Sequence, residues 1–160
     1  MATKVDAAPE RLYDDDFYAW TRQQAALLRA GRFNALDLDH LIEAVEEMGD
    51  VQREAVLSNA RVVLEHLLKL AHSPATDPRN GWRATVREHR ARLELQITPR
   101  LRQDLQVELE RVYTIARRNA EGALRDHGEP AAADALPNSC PYTLDQITAD
   151  WWPSVSGSGR

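Results

Sequence analysis

Five carboxylates crowd one short stretch of this sequence: Asp39, Glu43, Glu46, Glu47 and Asp50. At that spacing they share one side of a helix, and with His40 beside them they offer the oxygen and nitrogen donors that divalent metals take. His66 and His89 extend the candidate ligands. Helical di-iron sites place a Glu-x-x-His motif on each of two helices, and that motif is missing. His40-x-x-Glu43 runs in the reverse order, while Glu65-His66 and Glu88-His89 are adjacent and diverge. Glu43, Glu46, Glu47, Asp50, His66 and His89 are therefore the metal candidates, but a charged helical face is more simply a solvated or arginine-paired surface. No metal or other cofactor is expected.

Arginines form the second cluster. Arg79, Arg83, Arg87, Arg90 and Arg92, followed by Arg100 and Arg102, are the most basic stretch of an acidic chain. Guanidinium forks bind carboxylate and phosphate alike. Base-stacking aromatics are not interleaved with them, and no glycine-rich phosphate loop is present. Nucleic-acid binding is thus the weaker reading, and Arg83, Arg87 and Arg90 are expected to pair with the acids of the preceding helix, within a chain or across a dimer. His66 and His89 lie on or beside apolar stripes, as neutral core histidines do. Cys140 stands just ahead of a capped helix, where a thiol can be activated; without a second cysteine it reads as packing. No Gly-x-Ser-x-Gly elbow, Walker loop or His-Glu-x-x-His motif occurs. No catalytic residue can be named, which points away from an enzyme.

The elements that position these residues are all helical, with no period-2 strand pattern and no internal repeat. The organising stretch runs from Asp37 to His72. Leu38, Leu41, Ile42, Val45 and Met48 mark one face at helical period, with Asp37 as N-cap and Leu36 and Leu41 as a hydrophobic staple. Gly49-Asp50 predicts a break or sharp bend. Beyond it, Val56, Ala60, Val63, Leu64, Leu67, Leu70 and Ala71 predict a broad buried face needing at least two neighbours. Upstream, a helix is expected from Tyr13-Asp14-Asp15-Asp16, with Asp14 capping, to a stop at Gly31. Downstream, helices are expected over about 81–96, from the Thr98-Pro99 start to near Gly128, and from the Thr143–Gln146 capping box to Trp151-Trp152-Pro153. The architecture predicted is all-α, about five or six helices in bundle-like or orthogonal packing, with 1–12 a flexible lead-in, 13–153 a single domain and 154–160 a flexible tail.

Bulk properties fit a globular chain: 160 residues, 43% apolar, 28% charged, net charge −5 and pI near 5.5. No run approaches the ~20 apolar residues of a membrane span. The N-terminal residues lack a secretory pattern, and one cysteine forms no intramolecular disulfide, so a cytoplasmic protein is expected.

Several segments together resemble one family of small bacterial proteins, catalogued as a domain of unknown function, number twenty-nine. They are YDDDFYAWTRQQAALLRAGRF, LDLDHLIEAVEEMG, LEHLLKLAHSP with NGWRATVREHRARL, and LPNSCPYTLDQI followed by DWWP. The resemblance implies a compact all-helical bacterial protein and no activity. The Ala44-Val45 region is poorer in acids than the family pattern, which weakens a metal reading. The function expected is a non-catalytic helical interaction module, self-associating or bound to a protein partner, with Arg83, Arg87, Arg90, Trp151 and Trp152 as contact candidates. The alternatives are a metal-dependent enzyme using the acidic face and a histidine, and a nucleic-acid-associated protein using the arginines.

Overall fold

A computed structural model describes residues 9–154, and the chain divides into two compact units, the first ending at Val51 and the second beginning at Gln52. The elements are α1 (Pro9–Asp15), α2 (Phe17–Arg29), a 3-10 turn (Phe33–Ala35), α3 (Leu38–His72), α4 (Arg79–Gln96), α5 (Pro99–Asp126), α6 (Pro130–Asp134) and α7 (Leu144–Thr148). No strand occurs among the described residues, so the all-α reading holds, with seven α-helices rather than five or six.

In the first unit, α1 starts earlier than expected, at Pro9, the position in a helix where proline's missing N–H is no loss. Residues 9–12 are therefore helical rather than a loose lead-in; the remainder of that expected segment, and the tail from 155 on, lie outside the described residues. Asp16 interrupts the helix and caps α2 by accepting from the Ala19 N–H at 2.9 Å, so the cap falls on Asp16, not Asp14. Gly31, at φ +66°, ends α2 as expected. Arg32 N–H reaches the Leu27 carbonyl at 3.0 Å and Gly31 N–H the Leu28 carbonyl at 3.1 Å, the paired bonds that only a left-handed residue allows.

α3 runs as one uninterrupted helix of 35 residues, and the expected break at Gly49 does not occur. Glycine lowers helix stability by only about 1 kcal/mol, which the hydrogen bonds of an otherwise continuous helix tolerate. The boundary between the two units falls within α3, and burial changes along that helix. No residue of α3 from Leu38 to Val51 is buried, whereas eleven from Val56 to Ala71 are.

The second unit is built around that buried half. Val56, Ala60, Val63, Leu64, Leu67 and Leu68 meet Val86 and Leu93 of α4, Leu105, Val112, Tyr113 and Ala116 of α5, and Ile147 of α7 in one core. α4 begins at Arg79, just after Pro78. Thr98 caps α5 by accepting from Leu101 N–H, with Pro99 at the first helical position, as the sequence predicts. Between the helix expected to end near Gly128 and the Thr143–Gln146 capping box lies α6, a single turn that Pro130 initiates and three alanines favour. α7 has the expected capping box, Thr143 with Gln146, but stops at Thr148 instead of reaching Trp151, because Ala149 turns to extended backbone.

Gly49 has room for a side chain, with nothing within 4 Å of an added Cβ. Gly49→Ala is therefore expected to stabilise the local helix by about 1 kcal/mol, read as a roughly fivefold gain in amide-exchange protection over 46–53. Lower protection in the variant would restore the bend.

Candidate functional site

Asp37 organises the polar side of the first unit. Its N–H donates to Gln24 Oε1 at 2.9 Å, and its carboxylate accepts from Trp20 Nε1 at 3.0 Å and from His40 Nδ1 at 2.9 Å. The expected N-cap is thus a hub that joins α2 to the start of α3. The Tyr13 ring stacks on His40, centroids 4.1 Å apart, and meets Trp20 edge-on at 4.9 Å. Trp20 and Gln24 are fully buried, which makes their bonds to Asp37 obligatory rather than decorative. Burial alone would raise the Asp37 carboxyl, but the bonds from His40 and Trp20 outweigh it and hold the group below its usual value. The bond to Asp37 likewise raises His40 against the opposing effect of desolvation.

Beside this hub lies a groove of about 480 Å³ between one face of α2 and one of α3, lined by Trp20, Gln24, Leu28, Leu41, Val45 and Met48 among others. The apolar face read from the sequence is present but largely uncovered. Val45 is 62% exposed, Met48 71% and Val51 64%, and Phe17, Leu28, Leu38 and Ile42 are also exposed. Of the acids, Glu47 lines the groove, while Glu43, Glu46 and Asp50 are exposed on the other side of α3. No group of three or more His, Cys, Asp or Glu side chains is arranged to hold a metal ion among the described residues.

The remaining candidates fall in the second unit. His66 donates from Nδ1 to the Val62 carbonyl at 2.9 Å, and His89 Nδ1 lies 2.7 Å from Asn59 Oδ1. Asn59 in turn donates to the Ala55 carbonyl and to Gln96 Oε1. Burial lowers the pKa of both histidines, so each stays neutral at physiological pH and serves as a packing and hydrogen-bonding group.

Arg90 is buried. Its Nε donates to the Ile147 carbonyl at 2.9 Å, and its NH2 group donates to the carbonyls of Gln146 at 2.7 Å and Trp151 at 2.8 Å. Arg83, Arg87 and Arg90 all lie over the Trp152 ring, at 5.4, 5.5 and 5.0 Å from its centroid. Trp151 and Trp152 pack against the unit's own core, and the Trp151 ring lies 5.7 Å from that of Tyr142. The arginine–tryptophan group thus works as an internal clasp on the C-terminal segment. The amino-acid order hides this, because the clasp depends on backbone carbonyls more than fifty residues away.

Cys140 is half-buried. Its thiol lies 3.4 Å from the Tyr142 carbonyl, and burial pushes its pKa up, against activation as a nucleophile. The sequence reading missed Trp20, Gln24 and the bonding role of His40. The one available signal was Asp37 itself, an acid opening the longest helix.

Residues 12–152 match the family described as domain of unknown function DUF29. The chain is also similar to a crystal structure of an alpha-helical protein of unknown function from Rhodospirillum rubrum, at 26% identity and a TM-score of 0.64, over 86% of this chain and 89% of that one. No curated protein matches it.

Two outcomes test these sites. The His40–Asp37 pair has a stabilising window. Asp37, with a lowered pKa, contributes above its unfolded value and loses that contribution as pH falls through its folded one. His40, with a raised pKa, contributes below its unfolded value and loses that as pH rises through its folded one. NMR titration should give His40 a pKa above ~6.5, moving down in Asp37→Asn; an unchanged value in the variant would remove the pair. Arg90→Ala should lower stability by about 1.5–3 kcal/mol, with Arg90→Lys recovering less than half, since lysine has no fork. Denaturant unfolding measures both, and full rescue by lysine would show that charge rather than geometry matters.

Proposed function

The chain belongs to the DUF29 family, and we propose that it is a non-catalytic interaction module whose first unit captures a basic amphipathic helix. The observation that carries this reading is the uncovered apolar groove of α2 and α3, lined by Glu47 and set in a unit rich in acids. Two helices that share an apolar groove leave one face for a third, and contiguous exposed apolar surface of this kind marks a contact site. From Leu41 to Val51 the groove runs about 15 Å at helical rise, room for a partner of roughly three turns.

Charge selects the occupant. Up to Val51 the chain has eleven Asp and Glu against five Lys and Arg; from Gln52 on it has fourteen against fifteen. The first unit thus carries a charge of −6 and the second +1, so the unit that holds the groove accounts for the chain's negative charge. A helix flanked by lysine or arginine complements it, steers encounter and excludes acidic competitors. A second copy would bring two negatively charged units together, so self-association is the competing outcome. The nucleic-acid reading has less support, because Arg90 is committed to carbonyls and Arg83 and Arg87 lie on Trp152. The metal-enzyme reading rests on acids that form no ligand cluster among the described residues. The setting that suits this module is the bacterial cytoplasm, where Cys140 stays reduced. No described helix is long and apolar enough to cross a membrane.

The test uses a designed helical peptide with a leucine stripe and lysine flanks, and its twin with glutamate flanks. The lysine peptide should bind saturably, shift amide resonances from Thr21 to Leu28 and from Leu41 to Val51, weaken with salt, and lose at least about tenfold affinity against Met48→Glu. Equal binding of both peptides would remove the charge argument. Concentration-dependent dimerisation mapped to Val45 and Met48 would replace the partner helix with a second copy.

A further inference from the structure

A second concavity lies wholly in the second unit and plays no part in the docking groove. The connector from Ser73 to Pro78 and the C-terminal end of α5 enclose a cleft of about 710 Å³. Its walls include Pro74, Trp82 and Leu124, and its polar lining includes Lys69, His127 and Glu129. The connector is held in place: Arg79 donates to the Leu70 carbonyl at 2.7 Å and to the Ser73 carbonyl at 3.2 Å, and Ser73 Oγ accepts from the Ala75 N–H at 3.1 Å. The opposite wall is fixed by Gly128, at φ +76°, and by the Glu129 N–H bond to the Leu124 carbonyl at 2.9 Å. The cleft is thus preorganised on both sides, as small-molecule pockets usually are.

Its charges are not balanced. The Lys69 ammonium, nearly buried, is already neutralised by Glu65 Oε1 at 2.6 Å, and Glu65 Oε2 receives Asn119 Nδ2 at 3.4 Å. Arg79 is spent on carbonyls. Glu129 has no such partner: its Oε2 is shut away from solvent without a hydrogen bond among the described residues. A half-buried carboxylate with one oxygen left unpaired gains from a cation placed on its accessible side. Asp77 adds a second acid to the lining, with no ion pair among the described residues. His127 donates from Nδ1 to the Ala123 carbonyl at 2.6 Å, so in the neutral ring Nε2 is an acceptor. The Trp82 indole supplies an aromatic wall of the kind that attracts organic cations. Apolar walls, an aromatic ring, free acceptors and a neutralised lysine describe one ligand chemistry.

We infer that this cleft binds a small organic amine in its ammonium form, with the charged nitrogen toward Glu129 and an apolar body against Trp82 and Leu124. The lysine makes the opposite assignment, a carboxylate ligand, the natural rival, and the two are told apart by probes of equal shape. Full-length protein labelled with 15N is titrated with 2-phenylethylammonium, with 3-phenylpropionate and with 2-phenylethanol. The ammonium probe should shift the amides of Ala75 to Asp77 and of Ala123 to Glu129 saturably, with a Kd on the order of 1 mM for so small a probe. The carboxylate and the alcohol should bind at least about tenfold more weakly. Glu129→Gln, which keeps the side chain's shape, should reduce ammonium affinity about tenfold, and Asp77→Asn should reduce it by a smaller factor. Tighter binding of the carboxylate, equal binding of all three probes, or the absence of a saturable shift in these amides would each overturn the assignment. The wild-type comparison among probes decides the matter even if a variant folds poorly.

Discussion

A helix face that is apolar on three sides must find neighbours on three sides, and α3 from Val56 to Ala71 imposes that requirement on the whole second unit. Leu64, Leu67 and Leu68 are completely buried, and Leu57 and Leu70 nearly so, although they point in different directions around the axis. α4, α5 and α7 are the answer to that geometry. The same helix between Leu38 and Val51 has a narrower stripe, carries acids on its other side, and has no fully buried residue. One helix thus changes from exposed to enclosed along its length, and the division of the chain into two units follows that change in residue pattern.

The second constraint is the satisfaction of carbonyls in short or irregular segments. After α6 and α7 the backbone has few helical partners, and long side chains supply donors instead. Arg90 serves Gln146, Ile147 and Trp151, while Tyr113 and Arg117 converge on the Pro137 carbonyl at 2.6 and 2.9 Å. Burial raises Tyr113 to about 12, so its hydroxyl remains a donor throughout the physiological range. Such bonds specify where a loop lies, because each donor is held by a helix and each acceptor belongs to one peptide unit.

Much of the helical layout was legible in the sequence because its signals are local. Thr98-Pro99, the Thr143–Gln146 box, Gly31 and the Val56–Ala71 stripe each act within a few residues, and each appears as expected. The break at Gly49 was misread because glycine's propensity is a small effect beside the continuity of a long helix. α6 was missed because a single turn of alanines after proline has no periodicity to detect. The arginines were the hardest to read: their spacing is a surface pattern, but Arg90 is turned inward by carbonyls that are distant in sequence. Asp37 was legible as a helix start, while its bonds to Trp20 and His40 require two helices to be already in place.

Cys140 gives this arrangement a practical consequence. It is the chain's one thiol, it sits between α6 and α7, and burial keeps it mostly protonated at neutral pH. A thiol in that state holds less thiolate than a free one at the same pH, and detachment of the surrounding segment would lift that restraint. Its backbone N–H is held by the Glu110 carboxylate at 3.2 Å, so detachment requires breaking a bond to α5 as well as loosening the C-terminal segment. The rate at which a disulfide reagent labels this one sulfur is therefore a built-in clock for opening of that region, readable in a mass spectrometer without introducing a probe.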